Sequence, residues 1–269
     1  MVDSMNKKIG IIGGGNLGTA IAEGLIQSGF IPPKHILITK RNIQTLHDLE
    51  RKGVLVSDKN EEALRYADLI ILAVKPFQVD DLLSNLRKEI REGKHVLVSV
   101  ITGITIEHIA ALVNKKISIV RAMPNTAIAI QQSMTCIAAK DMNEDQLQYV
   151  IELFNQLGKS VRIDEKLMNA ATVLGACGTA FAMRYIRANI QGGIEIGFDA
   201  STANLIAAQT VKGASELLLT KGSHPEQEID KVTTPKGCTI AGLNEMEHRG
   251  FSSSLIKGLV ASYDKIAGD

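Results

Sequence analysis

A chain of 269 residues, 45% of them hydrophobic, carries enough apolar material for two modest domains with packed cores. Thirty basic and 29 acidic side chains leave a net charge of +1, so there is no basic field of the kind that holds nucleic acid or an anionic membrane surface. With no Trp, 4 Tyr and 6 Phe, little is left for stacking on single-stranded bases. Cys136, Cys177 and Cys238 are too few and too scattered for a zinc cage or a disulfide framework, and no metal site is expected.

The opening stretch, 1–8, is polar and lacks an apolar signal core, and no apolar run approaches the length of a membrane span. A cytoplasmic protein with reduced thiols is the expectation. Strands are expected over 8–12, 36–38, 54–56 and 69–74, with helices between them over 16–28, 42–51 and 60–66. The first helix gathers Ala20, Ile21, Gly24 and Leu25 on one face. The run Leu69-Ile-Ile-Leu-Ala-Val74 is apolar throughout, as suits a parallel strand buried on both faces. Strands over 95–100 and 117–122 flank a helix over 105–113. Further strands near 134–138 and 160–163 flank an amphipathic helix over 143–157, marked by Leu147, Val150, Ile151 and Phe154. After residue 164 the strand signal stops. The Ala- and Gly-rich stretches 166–197 and 201–220 read as long helices. Ser223-His-Pro-Glu226 matches a capping box at the start of a short helix, 233–238 lacks periodicity, and 240–248 and 252–266 read as further helices.

Within this pattern one motif carries chemistry. Gly13-Gly-Gly-Asn-Leu-Gly18 has the GxGxxG spacing, follows the first expected strand and opens the first expected helix, which is the context of a dinucleotide fingerprint. Gly13 permits the tight turn, Gly15 lets the backbone approach a pyrophosphate, and Gly18 lets the helix pack close to the strand. The helix start at Asn16 and Leu17 offers free N–H groups to phosphate oxygens. An α/β fold is therefore expected: an N-terminal Rossmann-type doubly wound sheet over 1–163, followed by an all-helical domain over 164–269. At the end of the second strand, where an NAD site usually has an acidic residue, stand Thr39, Lys40, Arg41 and Asn42. A hydroxyl and two cations suit the 2′-phosphate of NADP, with NADH a possible second cofactor; the alternative is a solvated basic loop. Asn60, at the start of the third helix, and Ala73-Val-Lys-Pro76, at the end of the fourth strand, are the other expected cofactor contacts, since ligands gather at the carboxyl ends of strands. Lys75 is either a cation beside the cofactor, a proton donor, or a plain loop lysine.

The late segment Thr233-Thr-Pro-Lys-Gly-Cys-Thr-Ile-Ala-Gly-Leu243 feeds a turn into a helix and presents backbone N–H groups suited to a small carboxylate. By spacing alone Thr239 is either a helix cap or a substrate contact. Together with the fingerprint, the Ala73–Pro76 turn, Met123-Pro-Asn-Thr126, Ser99–Ile106 with its Gly103-Ile-Thr105, Gly175-Ala-Cys-Gly-Thr-Ala180 and Gln209-Thr-Val-Lys-Gly-Ala214, this segment resembles the Δ1-pyrroline-5-carboxylate reductase family over essentially the whole chain. The resemblance implies hydride transfer from NADPH to the C=N bond of pyrroline-5-carboxylate, giving proline. It implies a substrate loop that includes Lys236, Gly237, Cys238 and Thr239, with the Thr239 hydroxyl bonding the ring nitrogen. It also implies homodimers through the C-terminal helices, or rings of dimers. Lys236 departs from the family's usual Gly, Ala127 from its Pro, and Cys177 and Thr179 from its Ser and Pro.

Two rivals stand beside this reading. A β-hydroxyacid dehydrogenase would use a helical lysine, for which Lys166 and Lys212 are candidates. A non-catalytic NADP-binding protein would account for the departures. His95, His108 and His248 have no orienting partner in the sequence and read as surface or packing residues.

Overall fold

The computed structural model describes residues 7–268, so most of the polar opening stretch lies outside the described residues. The chain divides into two compact units, one ending at Cys177 and the other starting at Gly178. The first is built on eight strands: β1 (Ile9–Ile12), β2 (Ile36–Thr39), β3 (Leu55–Ser57), β4 (Leu69–Leu72), β5 (Val96–Ser99), β6 (Ser118–Met123), β7 (Ser133–Lys140) and β8 (Gly158–Arg162). Their order in the sheet is β3-β2-β1-β4-β5-β6-β7-β8. Every neighbouring pair is parallel except β6 and β7, which run antiparallel.

The central strands are buried along their whole length, and alternate side chains serve two layers. Ile9, Ile11, Ile36, Ile38, Ile71 and Val98 face one layer, covered by α1 (Asn16–Gln27) and α6 (Glu144–Asn155) through Ile21, Leu25, Val150 and Phe154. Leu37, Ile70, Leu72 and Leu97 face the other, covered by α3 (Asn60–Tyr66), α4 (Val79–Leu86) and α5 (Ile106–Val113) through Leu64, Leu83 and Ile109. Each such aliphatic side chain withdrawn from water stabilises the fold by about 1.5–3 kcal/mol. The apolar 69–74 run therefore forms a two-faced central strand, as its composition implies.

Three expectations need correction. The stretch 42–51 is a 3₁₀ turn (Ile43–Leu46) followed by the short α2 (His47–Arg51), because the Asn42 side chain accepts from the Gln44 N–H and tightens the start. The short helix after residue 223 is capped one residue later than the Ser-x-x-Glu spacing suggests. His224 Nδ1 accepts from the Glu226 N–H and Gln227 Oε1 accepts from the His224 N–H, while the Ser223 hydroxyl donates to Glu228. The stretch 166–197 is not one regular helix. A 3₁₀ turn (Glu165–Leu167) and α7 (Met168–Ala171) lead into a π-helical turn (Thr172–Cys177), after which α8 (Gly178–Glu195) begins. The helix α4 was not anticipated at all.

The break between units falls after Cys177, beyond the expected 163/164 boundary. Residues 164–177 belong with the sheet: Met168 is fully buried in its second layer, and Glu165 accepts from the Ile106 N–H at the head of α5. The second unit holds α8, α9 (Ala200–Lys221), α10 (Pro225–Lys231), α11 (Cys238–His248) and α12 (Phe251–Ala267). Among the described residues no helix is long and apolar enough to cross a membrane, and no three His, Cys, Asp or Glu side chains cluster as metal ligands.

Candidate cofactor and substrate sites

The chain leaves β1 to one side for β2 and β3, then returns to place β4 on the other side of β1. This reversal opens a crevice at the carboxyl ends of β1 and β4, the usual ligand position in such a sheet. Ile12 pairs in register with both Thr39 and Leu72, so the residues just after them, Gly13, Lys40 and Ala73, lie at one level. The Thr39 carbonyl accepts from the Gly13 and Gly14 N–H groups at 3.2 and 2.7 Å, and the Ala73 N–H donates to the Ile12 carbonyl at 2.8 Å.

The glycines of the fingerprint separate into two physical roles. Gly13 has φ +112°, and a Cβ there would meet the Ala73 carbonyl oxygen at 2.5 Å. At Gly18 a Cβ would meet the Gly13 carbonyl oxygen at 2.1 Å. Both are required by the protein's own packing. Gly15 is different, because a Cβ there meets nothing within 4 Å. It is the N-cap of α1 and supplies no capping side chain, so the first-turn N–H groups of Asn16, Leu17 and Gly18 are left to an external acceptor. An open approach over Gly15 and an uncapped twelve-residue helix fit a dinucleotide pyrophosphate.

Thr39, Lys40 and Arg41 differ in exposure. Thr39 is fully buried, and its hydroxyl donates to Asn60 Oδ1 at 2.5 Å. That bond ties the end of β2 to the start of α3. Lys40 is half-buried and Arg41 exposed, and neither forms an ion pair among the described residues. Asn42 caps the following turn. Ala73 and Val74 abut Gly13, whereas Lys75 and Pro76 are exposed, with the Lys75 N–H donating to Gln78 Oε1 at 3.1 Å.

Asn125 is bonded on three sides. Its backbone N–H donates to Ser133 Oγ, its Oδ1 accepts from the Ala127 N–H, and its Nδ2 donates to the Gly175 carbonyl at 3.1 Å. Nearby, the Thr172 hydroxyl donates back to the Met168 carbonyl at 2.8 Å. The backbone between these bonds forms a π-helical turn.

In the second unit, the Gly237 N–H donates to the Thr234 carbonyl at 2.9 Å and closes a four-residue turn with Pro235 at its second position. Lys236, third in this turn, has φ +61°, the left-handed region that a type II turn demands there. A Cβ at Gly237 would meet Thr234 Oγ1 at 2.5 Å. Gly237 is the N-cap of α11, Cys238 its exposed first residue and Thr239 its second, and no side chain caps the helix. Thr239 is therefore a first-turn residue and not the cap, and its hydroxyl makes no hydrogen bond among the described residues.

The histidines are accounted for locally. His95 is buried, His108 Nε2 pairs with Asp80 at 2.7 Å, and His248 ends α11. Lys166 pairs with Asp164 at 2.9 Å, and Lys212 is exposed on α9.

Comparison with known proteins adds the decisive observation. Pyrroline-5-carboxylate reductase 2 of Dictyostelium discoideum is 43% identical over 276 residues, covering 97% of this chain and 92% of that protein. The chain belongs to the pyrroline-5-carboxylate reductase family. Pyrroline-5-carboxylate reductase 1 of the same organism is 48% identical over 271 residues, and there the alignment covers 96% of this chain but spans only about half (49%) of the relative. The solved Plasmodium falciparum pyrroline carboxylate reductase, with NADP bound, superimposes with a TM-score of 0.85 at 27% identity, over 97% of each chain. Family profiles divide this reductase-family chain in two. One described as NADP oxidoreductase coenzyme F420-dependent matches residues 8–103, and one described as pyrroline-5-carboxylate reductase dimerisation matches residues 165–268.

Proposed function

We propose that this protein reduces the C=N bond of Δ1-pyrroline-5-carboxylate to give L-proline, using NADPH in preference to NADH. Membership of the family supports the reaction, and the open, uncapped glycine turn at the β1/β4 crevice is the structural observation that supports the cofactor. When bound, the dinucleotide supplies the hydride for the imine carbon. The chain's part is to bind, orient and protonate. First-turn N–H groups of α1 take the pyrophosphate, and the Lys40 and Arg41 cations pair with the 2′-phosphate. Backbone N–H groups at Cys238 and Thr239 donate to the substrate carboxylate, while the Gly237 N–H holds the turn that presents them and the Lys236 ammonium adds charge. The Thr239 hydroxyl donates a hydrogen bond to the imine nitrogen and relays a proton from water to it as its carbon gains the hydride. An imine bonded in this way is the better hydride acceptor.

We also propose a homodimer as the working unit, with rings of dimers as its larger form. In the second unit only Ile190, Ala203 and Ala207 are buried apolar residues among those described, while Met183, Ile196, Leu205, Ile256 and Val260 are exposed. Helices this apolar and this poorly buried call for a second surface. Free thiols at all three cysteines suit the reducing cytoplasm, the compartment we propose. The test is oxidation of NADPH, then of NADH, with pyrroline-5-carboxylate as substrate. Turnover with a lower KM for NADPH supports the reading. Cofactor binding without turnover on the imine would replace it with a non-catalytic role. Sedimentation as a monomer at micromolar concentration would remove the dimer.

A further inference from the structure

At the amino ends of β1, β4 and β5, across the sheet from the glycine turn, lies a second cavity of about 200 Å³. Its polar lining is Lys7, Lys8, Asp68, Lys94, Gln146 and Tyr149. The groups it offers are almost all hydrogen-bond donors. Lys7 Nζ sits 3.9 Å from the centre of the Tyr149 ring, and Lys8 Nζ sits 4.5 Å from that of Tyr66. Lys94 Nζ lies 3.3 Å from Asp68, the one carboxylate in the lining, which leaves two cations in excess of it. Gln146 Oε1 lies 3.3 Å from the Ser118 hydroxyl, whose shorter bond at 2.8 Å goes to the Asp141 carbonyl. Tyr149 is 2% exposed, yet its hydroxyl is buried without any hydrogen-bond partner. A phenol shut away from water and left unbonded is costly unless something outside the chain completes it. Burial, with Glu152 adding to it, pushes the hydroxyl pKa up to about 12, so it is present as a donor.

We propose that this cavity is a binding site for a small, multiply charged oxyanion of the phosphate class, held by the Lys7, Lys8 and Lys94 ammonium groups and by the Tyr149 hydroxyl. Such an anion consists of acceptors only, the complement of a lining that is nearly all donors, and its charge matches the two excess cations. The site shares no residue with the cofactor crevice or the 233–239 turn.

The experiment is calorimetric titration of inorganic phosphate into the full-length protein saturated with NADP⁺, which blocks the cofactor turn as a competing phosphate site. Expected is one millimolar-range site per chain, weakened about tenfold in Tyr149→Phe by loss of a charge-assisted hydrogen bond. It should be abolished in the Lys7→Met/Lys94→Met double variant. Tyr149→Phe should fold at least as stably as wild type without phosphate, since it removes an unbonded buried hydroxyl. Phosphate binding that disappears once NADP⁺ is present, or that is equally tight in wild type and Tyr149→Phe, would overturn the proposal.

Discussion

The Lys236→Gly substitution separates two consequences of one residue. At φ +61° a lysine carries the steric cost of the left-handed region, about 1–2 kcal/mol, which glycine does not. Against this, glycine makes the unfolded chain more flexible and returns about 0.4–1 kcal/mol. The net expectation is a gain of about 0.5–1 kcal/mol, or roughly 1–4 °C in Tm for a chain of this size. Meanwhile an exposed ammonium is lost from the head of α11. An exposed charge pair is worth little, so KM for pyrroline-5-carboxylate should rise only about two- to fivefold, with kcat unchanged. Because exposed charges are screened within about 10 Å at 0.1 M salt, the wild-type KM should climb with ionic strength while that of the variant stays flatter. Thermal melts and steady-state kinetics at two salt concentrations check both halves. A lower Tm in Lys236→Gly would refute the strain argument, and an unaltered KM with an unaltered salt response would remove Lys236 from carboxylate binding.

Thr239→Ala should lower kcat about 10- to 1000-fold while leaving Tm within about a degree, because the hydroxyl makes no bond inside the fold; a drop in Tm with normal kcat would reduce Thr239 to a structural residue. Gly15→Val should fold normally and fail to bind NADPH, whereas Gly18→Ala, whose Cβ would meet the Gly13 oxygen at 2.1 Å, should lose about 3 kcal/mol or more of stability; equal behaviour of the two in melts and cofactor titrations would contradict the assigned roles. Arg41→Ala should raise KM for NADPH and spare that for NADH, and an unchanged ratio would free Arg41 from the 2′-phosphate. His95 Nδ1 accepts from the Arg91 N–H at 2.9 Å and Nε2–H donates to the Leu64 carbonyl at 2.9 Å, a pairing only the neutral ring can make. Burial, the largest influence, holds its pKa below the ordinary 6.5. The stability it contributes is therefore present above pH 6.5 and lost as pH falls through its folded value; a wild-type acid-unfolding profile matching that of His95→Gln would show that the ring does not matter.

Which parts of this were legible in the sequence follows from how each is made. The cradle at Gly13, Gly15 and Gly18 works by lacking side chains, so its spacing and its strand–helix context could be read directly. The helix α4 left a weaker trace. Val79, Leu83 and Leu86 are buried at helical spacing, but only eight residues carry the pattern, and Asp80, Asp81, Ser84 and Asn85 dilute it. The π turn left no local signal, and one of its partners, the Asn125 amide that donates to the Gly175 carbonyl, lies fifty residues earlier. The bond from the Thr39 hydroxyl to Asn60 likewise joins segments twenty-one residues apart and has no local signal. Side-chain partnerships between distant segments decide such cases, and periodicity does not encode them.

Lys236 shows what a broken pattern can still mean. Where the family usually has two successive glycines, this chain keeps only the second, Gly237, where a Cβ would meet Thr234 Oγ1 at 2.5 Å and the Thr234 carbonyl oxygen at 3.0 Å. The turn survives at 236 because Pro235 presets its second position and the Gly237 N–H closes it onto Thr234. Its geometry is thus over-determined by residues 234, 235 and 237, and position 236 tolerates a side chain at the cost of modest strain. A position released from conformational duty at the mouth of a helix N-terminus can carry charge. A lysine there lengthens the reach of the α11 N–H groups toward an anion without altering the backbone that presents them. On the proposed function, Lys236 adjusts how tightly the carboxylate is held and the unbonded hydroxyl of Thr239 serves the imine nitrogen. If Lys236→Gly reduced kcat as severely as Thr239→Ala, that division of labour would fail.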